Sequence, residues 1–252
     1  MRLALHADGP VGRRAGRILL GERDLTALGR YGDAEARIED RRTTAIRNLA
    51  GYRVLATDAP DGIAFARIAV DDGVHAVLSA DVEVPDDLAA AALASDLTVL
   101  VGADLGPGIA ETLAAHEAAR TTRPVHLRVA WTEPGTPLRR GVAVPFPDPV
   151  GPRWGRVVES QGSVERVVVP IPAPWAGALA TVSGRVLGRR RERTVGVADD
   201  HDHLRAIALA AGVLAVAGGS YEPGVKRPGD AASAYLEAAL RVGMDVASFS
   251  PS

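Results

Sequence analysis

Gly9, Pro10, Val11 and Gly12 follow a short apolar run, Leu3 to His6. They lead into a segment in which Val11, Ala15, Ile18 and Leu19 share one helical face, with Arg13, Arg14 and Arg17 on the other. A turn free of side chains between a strand and a helix lets backbone N–H groups and the positive end of the helix dipole face the oxygens of a dinucleotide diphosphate. Gly9 and Gly12 meet that need, and Pro10 and Val11 complete the candidate cofactor-binding turn. The pattern reads A-x-G-x-x-G from Ala7, with Gly16 one turn further on, where the usual fingerprint begins with glycine. Any tight strand-to-helix turn also uses two glycines; position in the first unit of a βα series favours the dinucleotide. The expectation is a central first strand whose following turn presents bare amides.

The residue after the second strand discriminates the two nicotinamide cofactors, because a carboxylate there takes the ribose hydroxyls and an Arg accommodates a 2′-phosphate. Leu28-Gly29-Arg30-Tyr31-Gly32-Asp33 offers both, with Arg37 nearby. If the strand ends at Tyr31, Gly32 takes the acidic position and Arg30 tilts the choice from NAD to NADP; the alternative is a solvated charged loop.

Groups able to move a proton are few. Lys226 is the sole lysine, in a Gly- and Pro-rich stretch beside Arg227, and is either a substrate or proton-shuttling group or an exposed ammonium. Glu133, in Trp131-Thr132-Glu133-Pro134-Gly135, either overhangs a cofactor or sits in a plain turn, and His126 begins a strand. In Asp199-Asp200-His201-Asp202-His203 the two histidines are i, i+2 and cannot share a helix face, so the cluster reads as a polar helix start and no metal site is expected. Arg189-Arg190-Arg191 reads as a hairpin tip. No Gly-x-Ser-x-Gly elbow and no Gly-Lys-Ser/Thr phosphate loop occurs, which removes serine hydrolases of that type and P-loop NTPases.

These residues need a scaffold, and the first half supplies one. Leu3 to His6, Leu25 to Tyr31, Val54 to Thr57, Ala76 to Ser79 and Leu97 to Val101 read as strands. Helical segments lie between them, with Asp33 to Arg47 as helix or loop, and the whole predicts a doubly wound parallel Rossmann sheet over residues 1–124. From residue 125 to 252 the texture changes to β-rich segments broken by Pro and Gly, then two helices with Asp202 and Asp230 as N-caps. This predicts an α+β domain on a mainly antiparallel sheet, for substrate contacts and a homodimer. The stretch from Gly218 to Gly229 is too rich in turn residues for regular structure.

Composition narrows the class. The 252 residues are 47% hydrophobic and 24% charged, the balance of a globular chain, and 29 basic against 31 acidic residues leave no positive field for a nucleic acid. The absence of cysteine removes thiolate catalysis, disulfides and Cys-bound metals. No apolar run approaches the roughly 20 residues of a membrane span and no signal-peptide core follows Met1, so a cytoplasmic protein is the default expectation.

Three stretches carry a family likeness. Leu3-Ala4-Leu5-His6-Ala7-Asp8-Gly9-Pro10-Val11-Gly12, Ala56-Thr57-Asp58, and above all Asp104-Leu105-Gly106-Pro107-Gly108-Ile109 resemble the saccharopine dehydrogenase-like group. They are also similar to the wider dihydrodipicolinate-reductase and diaminopentanoate-dehydrogenase type of oxidoreductases. Phe146-Pro147-Asp148-Pro149-Val150-Gly151 is similar to a proline-rich segment of their second domain. The resemblance implies an NAD(P)-dependent oxidoreductase of an amino-acid or imine-like substrate, with cofactor contacts at Gly9, Pro10, Val11, Gly12, Asp58, Ser79 and Ala80. The paired histidines, Lys and small-residue loop of dihydrodipicolinate reductases are missing. A methyltransferase would share the sheet but not this first loop. Two rivals remain: a non-catalytic dinucleotide-binding sensor or interaction protein, because no acid–base constellation stands out, and a protein of this fold that has lost its cofactor, with Ala7 as the hint.

Overall fold

The computed structural model describes every residue except 33–37, 39, 122–123, 187–188 and 250–252. Asp33 and Arg37 lie outside the described residues, as do the side chains of Arg189, Arg190 and Arg191.

The chain begins β1 (Arg2–His6), α1 (Pro10–Leu20), β2 (Ala27–Tyr31), β3 (Thr43–Ile46), β4 (Val54–Thr57), α2 (Gly62–Asp71), β5 (His75–Leu78), α3 (Asp86–Ala94) and β6 (Thr98–Leu100). A π-helical turn, Leu105–Ala110, then runs into α4 (Glu111–Ala119). The remainder is β7 (Pro124–Pro134), β8 (Val142–Pro145), β9 (Pro152–Gln161), β10 (Val164–Ile171), β11 (Trp175–Val186), β12 (Arg189–Asp200), α5 (His201–Ala217), β13 (Gly224–Lys226), a 3-10 turn (Pro228–Ala231), α6 (Ala232–Arg241) and β14 (Ala247–Phe249).

The first sheet is parallel throughout, in the order β3-β2-β1-β4-β5-β6-β13. β1 sits in its middle, between β2 and β4, as expected. All four residues of β4 are buried, because a parallel strand covered by helices on both faces has no wet side. The five strands read from the sequence are all present, and two more join them. Thr43–Ile46 forms an edge strand inside the stretch expected to be helix or loop, and Gly224–Lys226 forms the opposite edge inside the stretch expected to be irregular. Lys226 is therefore the last residue of a strand, not part of a loop; it lies opposite Leu100 and its carbonyl accepts from Val101 N–H at 3.0 Å.

The second sheet runs β14-β12-β11-β7-β10-β9-β8 and is antiparallel except for the β7–β10 pair. Both sheets meet α5, whose residues from Ala206 to Ala217 are buried on every side, as its all-apolar sequence requires. It packs against α1 and touches β5 on one side and β11 on the other. Asp200 caps it by accepting from His203 N–H at 3.0 Å, so the N-cap is Asp200 and not Asp202. Asp230 likewise belongs to the 3-10 turn, where it accepts from Arg227 N–H at 2.8 Å, and α6 starts after it.

Candidate active site

At the carboxyl edge of the first sheet, β1 ends at His6 and Pro10 opens α1 at a position where its missing N–H costs nothing. Gly12 has no room for a side chain: a Cβ there would come within 2.8 Å of Ala7 Cα. It plays the close-packing part of a fingerprint's third glycine, and Val11 turns its side chain into the core, at 5% exposure. The N-terminus of α1 has neither a side-chain cap of its own nor an acidic residue in its first turn.

The charge that complements this helix end comes from the loop after β4. One oxygen of the Asp58 carboxylate accepts from Asp8 N–H at 2.7 Å, and the other accepts from Gly9 N–H at 3.1 Å and Gly12 N–H at 2.7 Å. The expected amides are present and converge, but they are not bare. With Asp58 seated on them, the turn in this conformation does not fit a diphosphate. Among the other expected contacts, Ser79 is buried at the end of β5 with its N–H on the Thr57 carbonyl at 3.0 Å, and the Ala80 carbonyl accepts from Gly102 N–H at 3.0 Å. Arg30 lies on β2 opposite Leu5 and Ala45. Beyond it, Tyr31, Gly32, Ala45, Ile46 and Arg47 line a hollow of about 500 Å³ at the ends of β2 and β3. His6 stacks on Phe65 with ring centroids 4.0 Å apart, and its Nδ1 lies 3.0 Å from the Tyr31 carbonyl oxygen.

Next to this edge, a cleft of about 560 Å³ opens between the two sheets. Asp81 and Pro107 line it from the first sheet's loops, and Trp131, Glu159 and Arg166 from the second sheet. Glu111, at the start of α4, and Asp230 add two more carboxylates. The Arg166 guanidinium pairs with both Glu111 and Glu159, the latter at 3.1 Å, and the Glu111 hydrogen bond above all holds Arg166 more firmly protonated than usual. Arg227 pairs with Asp81 at 2.9 Å. The cleft thus sets four carboxylates against two guanidiniums, an excess of two negative charges.

The loop that carries Pro107 is fastened from behind. Asp104 accepts from Leu105 N–H at 2.8 Å and takes both Nε and Nη2 of Arg205 on α5 at 2.6 Å, a bidentate clasp. The hydrogen bond to Asp104 is the main reason the guanidinium's pKa is raised, with smaller contributions from the charges of Asp202 and Asp58. Gly106 lets Trp131 lie on this loop, since a Cβ there would be 2.9 Å from the indole.

The two proton-transfer candidates fall close to the cleft without lining it. Arg227, not its neighbour Lys226, faces it. Glu133 is an exposed strand residue rather than part of a turn, and accepts from Trp131 Nε1 at 3.3 Å. His126 is a half-buried residue of β7 opposite Ser183. The Arg166–Glu111 and Asp104–Arg205 pairs had no local signal, because partners 55 and 101 residues apart meet only through the fold, while Glu159 meets Arg166 across the β9–β10 pairing.

No protein-family model matches the sequence, and no curated protein matches it. Solved structures do match. The C. glutamicum DAP dehydrogenase in complex with DAP is 14% identical, with a TM-score of 0.58 over 94% of this chain and 95% of that one. The homospermidine synthase of Legionella pneumophila in complex with NAD is 7% identical, with a TM-score of 0.65 over 99% of this chain and 91% of that one. A dipicolinate-bound dihydrodipicolinate reductase from Paenisporosarcina sp. is 11% identical, with a TM-score of 0.55 over 90% and 97%. The chain therefore has the fold of dihydrodipicolinate-reductase-like dehydrogenases over nearly its whole length, extending the resemblance first seen in three motifs. Among the described residues, no helix is long and apolar enough to cross a membrane.

Proposed function

We propose that the chain is a nicotinamide-dinucleotide-dependent oxidoreductase acting on a small molecule that carries an amino group. The cleft carries this proposal: it lies beside the ends of β5 and β6, where open α/β sheets hold their ligands, and its excess of carboxylates favours a cationic substrate over an acidic one. Gly9, Pro10, Val11 and Gly12 would face the diphosphate, and Ser79 and Ala80 would border the nicotinamide end. Arg30 supports NADP over NAD, as an arginine near the end of the second strand suits a 2′-phosphate. Glu133, whose carboxylate accepts from the cleft-lining Trp131, is the proposed acid–base group, and Lys226, whose side chain does not line the cleft, is not proposed for that part.

A homodimer built on the second sheet is supported by the exposure of Trp154 and Val157 on one strand, β9. Measuring NADH and NADPH binding by intrinsic tryptophan fluorescence, then screening amines and amino acids for a change in nicotinamide absorbance, tests the proposal. Dinucleotide binding with amine-dependent turnover is the expected result, and binding of neither cofactor would reject it. A second proposal, a non-catalytic dinucleotide sensor, is favoured by the seating of Asp58, which gives the turn a closed form that a ligand could open. Binding without turnover on any substrate would select it.

A further inference from the structure

We infer that Asp58 is an internal competitor for the diphosphate site and so sets how strongly this chain binds a dinucleotide. The inference rests on the proposal that the β1–α1 turn is a dinucleotide site. The carboxylate uses the amides of Asp8, Gly9 and Gly12, the donors that such a turn offers a phosphate, and it satisfies them from outside the turn, 46 to 50 residues along the chain. It also fills the space that the glycines leave: a Cβ on Gly12 would stand 2.6 Å from one Asp58 oxygen, and a Cβ on Gly9 3.4 Å from the other. Two anions cannot share one set of amides at these distances, because both hydrogen-bond donors and positive dipole are already committed and like charges at contact repel strongly.

The loop behind Asp58 is held independently of the carboxylate. Ala59 N–H donates to the Thr57 hydroxyl at 3.0 Å, and Thr57 itself is buried at the end of β4. The side chain can therefore leave the amides while the strand keeps its place. A dinucleotide enters only as that carboxylate leaves, and part of its binding energy is spent on the displacement.

The test compares NADH and NADPH binding by calorimetry in the wild-type chain, Asp58→Ala and Asp58→Asn, with circular dichroism verifying that each is folded. Asparagine keeps an accepting oxygen and the cap on α1 while removing the charge, so it reports even if the alanine variant fails to fold. Both variants are expected to bind at least about tenfold more tightly than wild type, with inorganic pyrophosphate competing in the variants. Gain of binding in the variants alone supports the inference while rejecting a dinucleotide-dependent activity of the wild-type chain. A wild type that binds, with folded variants that bind no more tightly, overturns the inference and leaves the dinucleotide proposal standing. Absence of binding in all three overturns both.

Discussion

The clasp between Arg205 and Asp104 offers the sharpest test of how the cleft is held. Arg205→Met keeps the bulk of the side chain and removes the guanidinium, and Asp104→Asn removes the opposite charge while retaining an acceptor for Leu105 N–H. The two hydrogen bonds, both 2.6 Å, join side chains only 31% and 21% exposed. An exposed ion pair is worth about 0–1 kcal/mol, whereas removing one partner of a fully buried pair costs about 3–5 kcal/mol. With exposure between these limits and bidentate geometry, either single variant is expected to lose about 2 kcal/mol, and the double variant no more than about 2.5 kcal/mol, because the second change breaks nothing further. The assay is a double-mutant cycle by urea unfolding, read at the midpoint with unchanged slope. Losses that simply add, or a coupling below about 0.5 kcal/mol, would show the clasp to be an incidental contact and would refute the claim that α5 anchors the Leu105–Ala110 turn.

Further outcomes follow from other contacts. Tyr235→Phe should cost about 1 kcal/mol in the same unfolding assay, since the fully buried hydroxyl donates to the Ala208 carbonyl at 2.8 Å, a bond that carbonyl makes in addition to its helical one. Gly9→Asp should abolish NADPH binding in a calorimetric titration while far-UV circular dichroism stays that of a folded chain, because it adds a second carboxylate to the turn at a position where a Cβ meets nothing nearer than an Asp58 oxygen at 3.4 Å. Burial of His75, with help from Arg53 and against the opposing charge of Asp96, lowers its pKa below the ordinary 6.5, and its Nδ1 accepts from Thr98 N–H at 3.0 Å. The unfolded chain therefore binds this proton first. Stability should fall as pH drops through about 6.5, and His75→Gln should flatten that part of a stability–pH curve. Sedimentation should show a dimer that dissociates on Val157→Glu, which replaces an exposed apolar side chain of β9 with a charge.

The fold was legible wherever a local pattern decided it. Buried parallel strands such as Val54–Thr57 announce themselves as apolar runs, and the turn before α1 by its glycines. β3 and β13 did not, because both are edge strands of three or four residues set among charges, prolines or glycines. They are strands only because β2 and β6 pair with them. The same limit governed the site. Gly9 and Gly12 pointed to an anion, yet nothing near Asp58 in the chain says that its carboxylate lies on their amides; that needs β4 beside β1. Nor could spacing reveal that Arg227 would face the cleft in place of Lys226, since that depends on β13 ending at Lys226 against β6 and on the 3-10 turn that Arg227 then begins.

The most direct measurement is a crystal structure of the chain soaked with NADPH. The diphosphate is expected on the amides of Gly9 and Gly12 with the Asp58 carboxylate turned away, and the nicotinamide reaching the cleft beside Asp81 and Pro107. A well-diffracting crystal at saturating NADPH with Asp58 still on those amides, and the dinucleotide bound elsewhere or not at all, would contradict that placement.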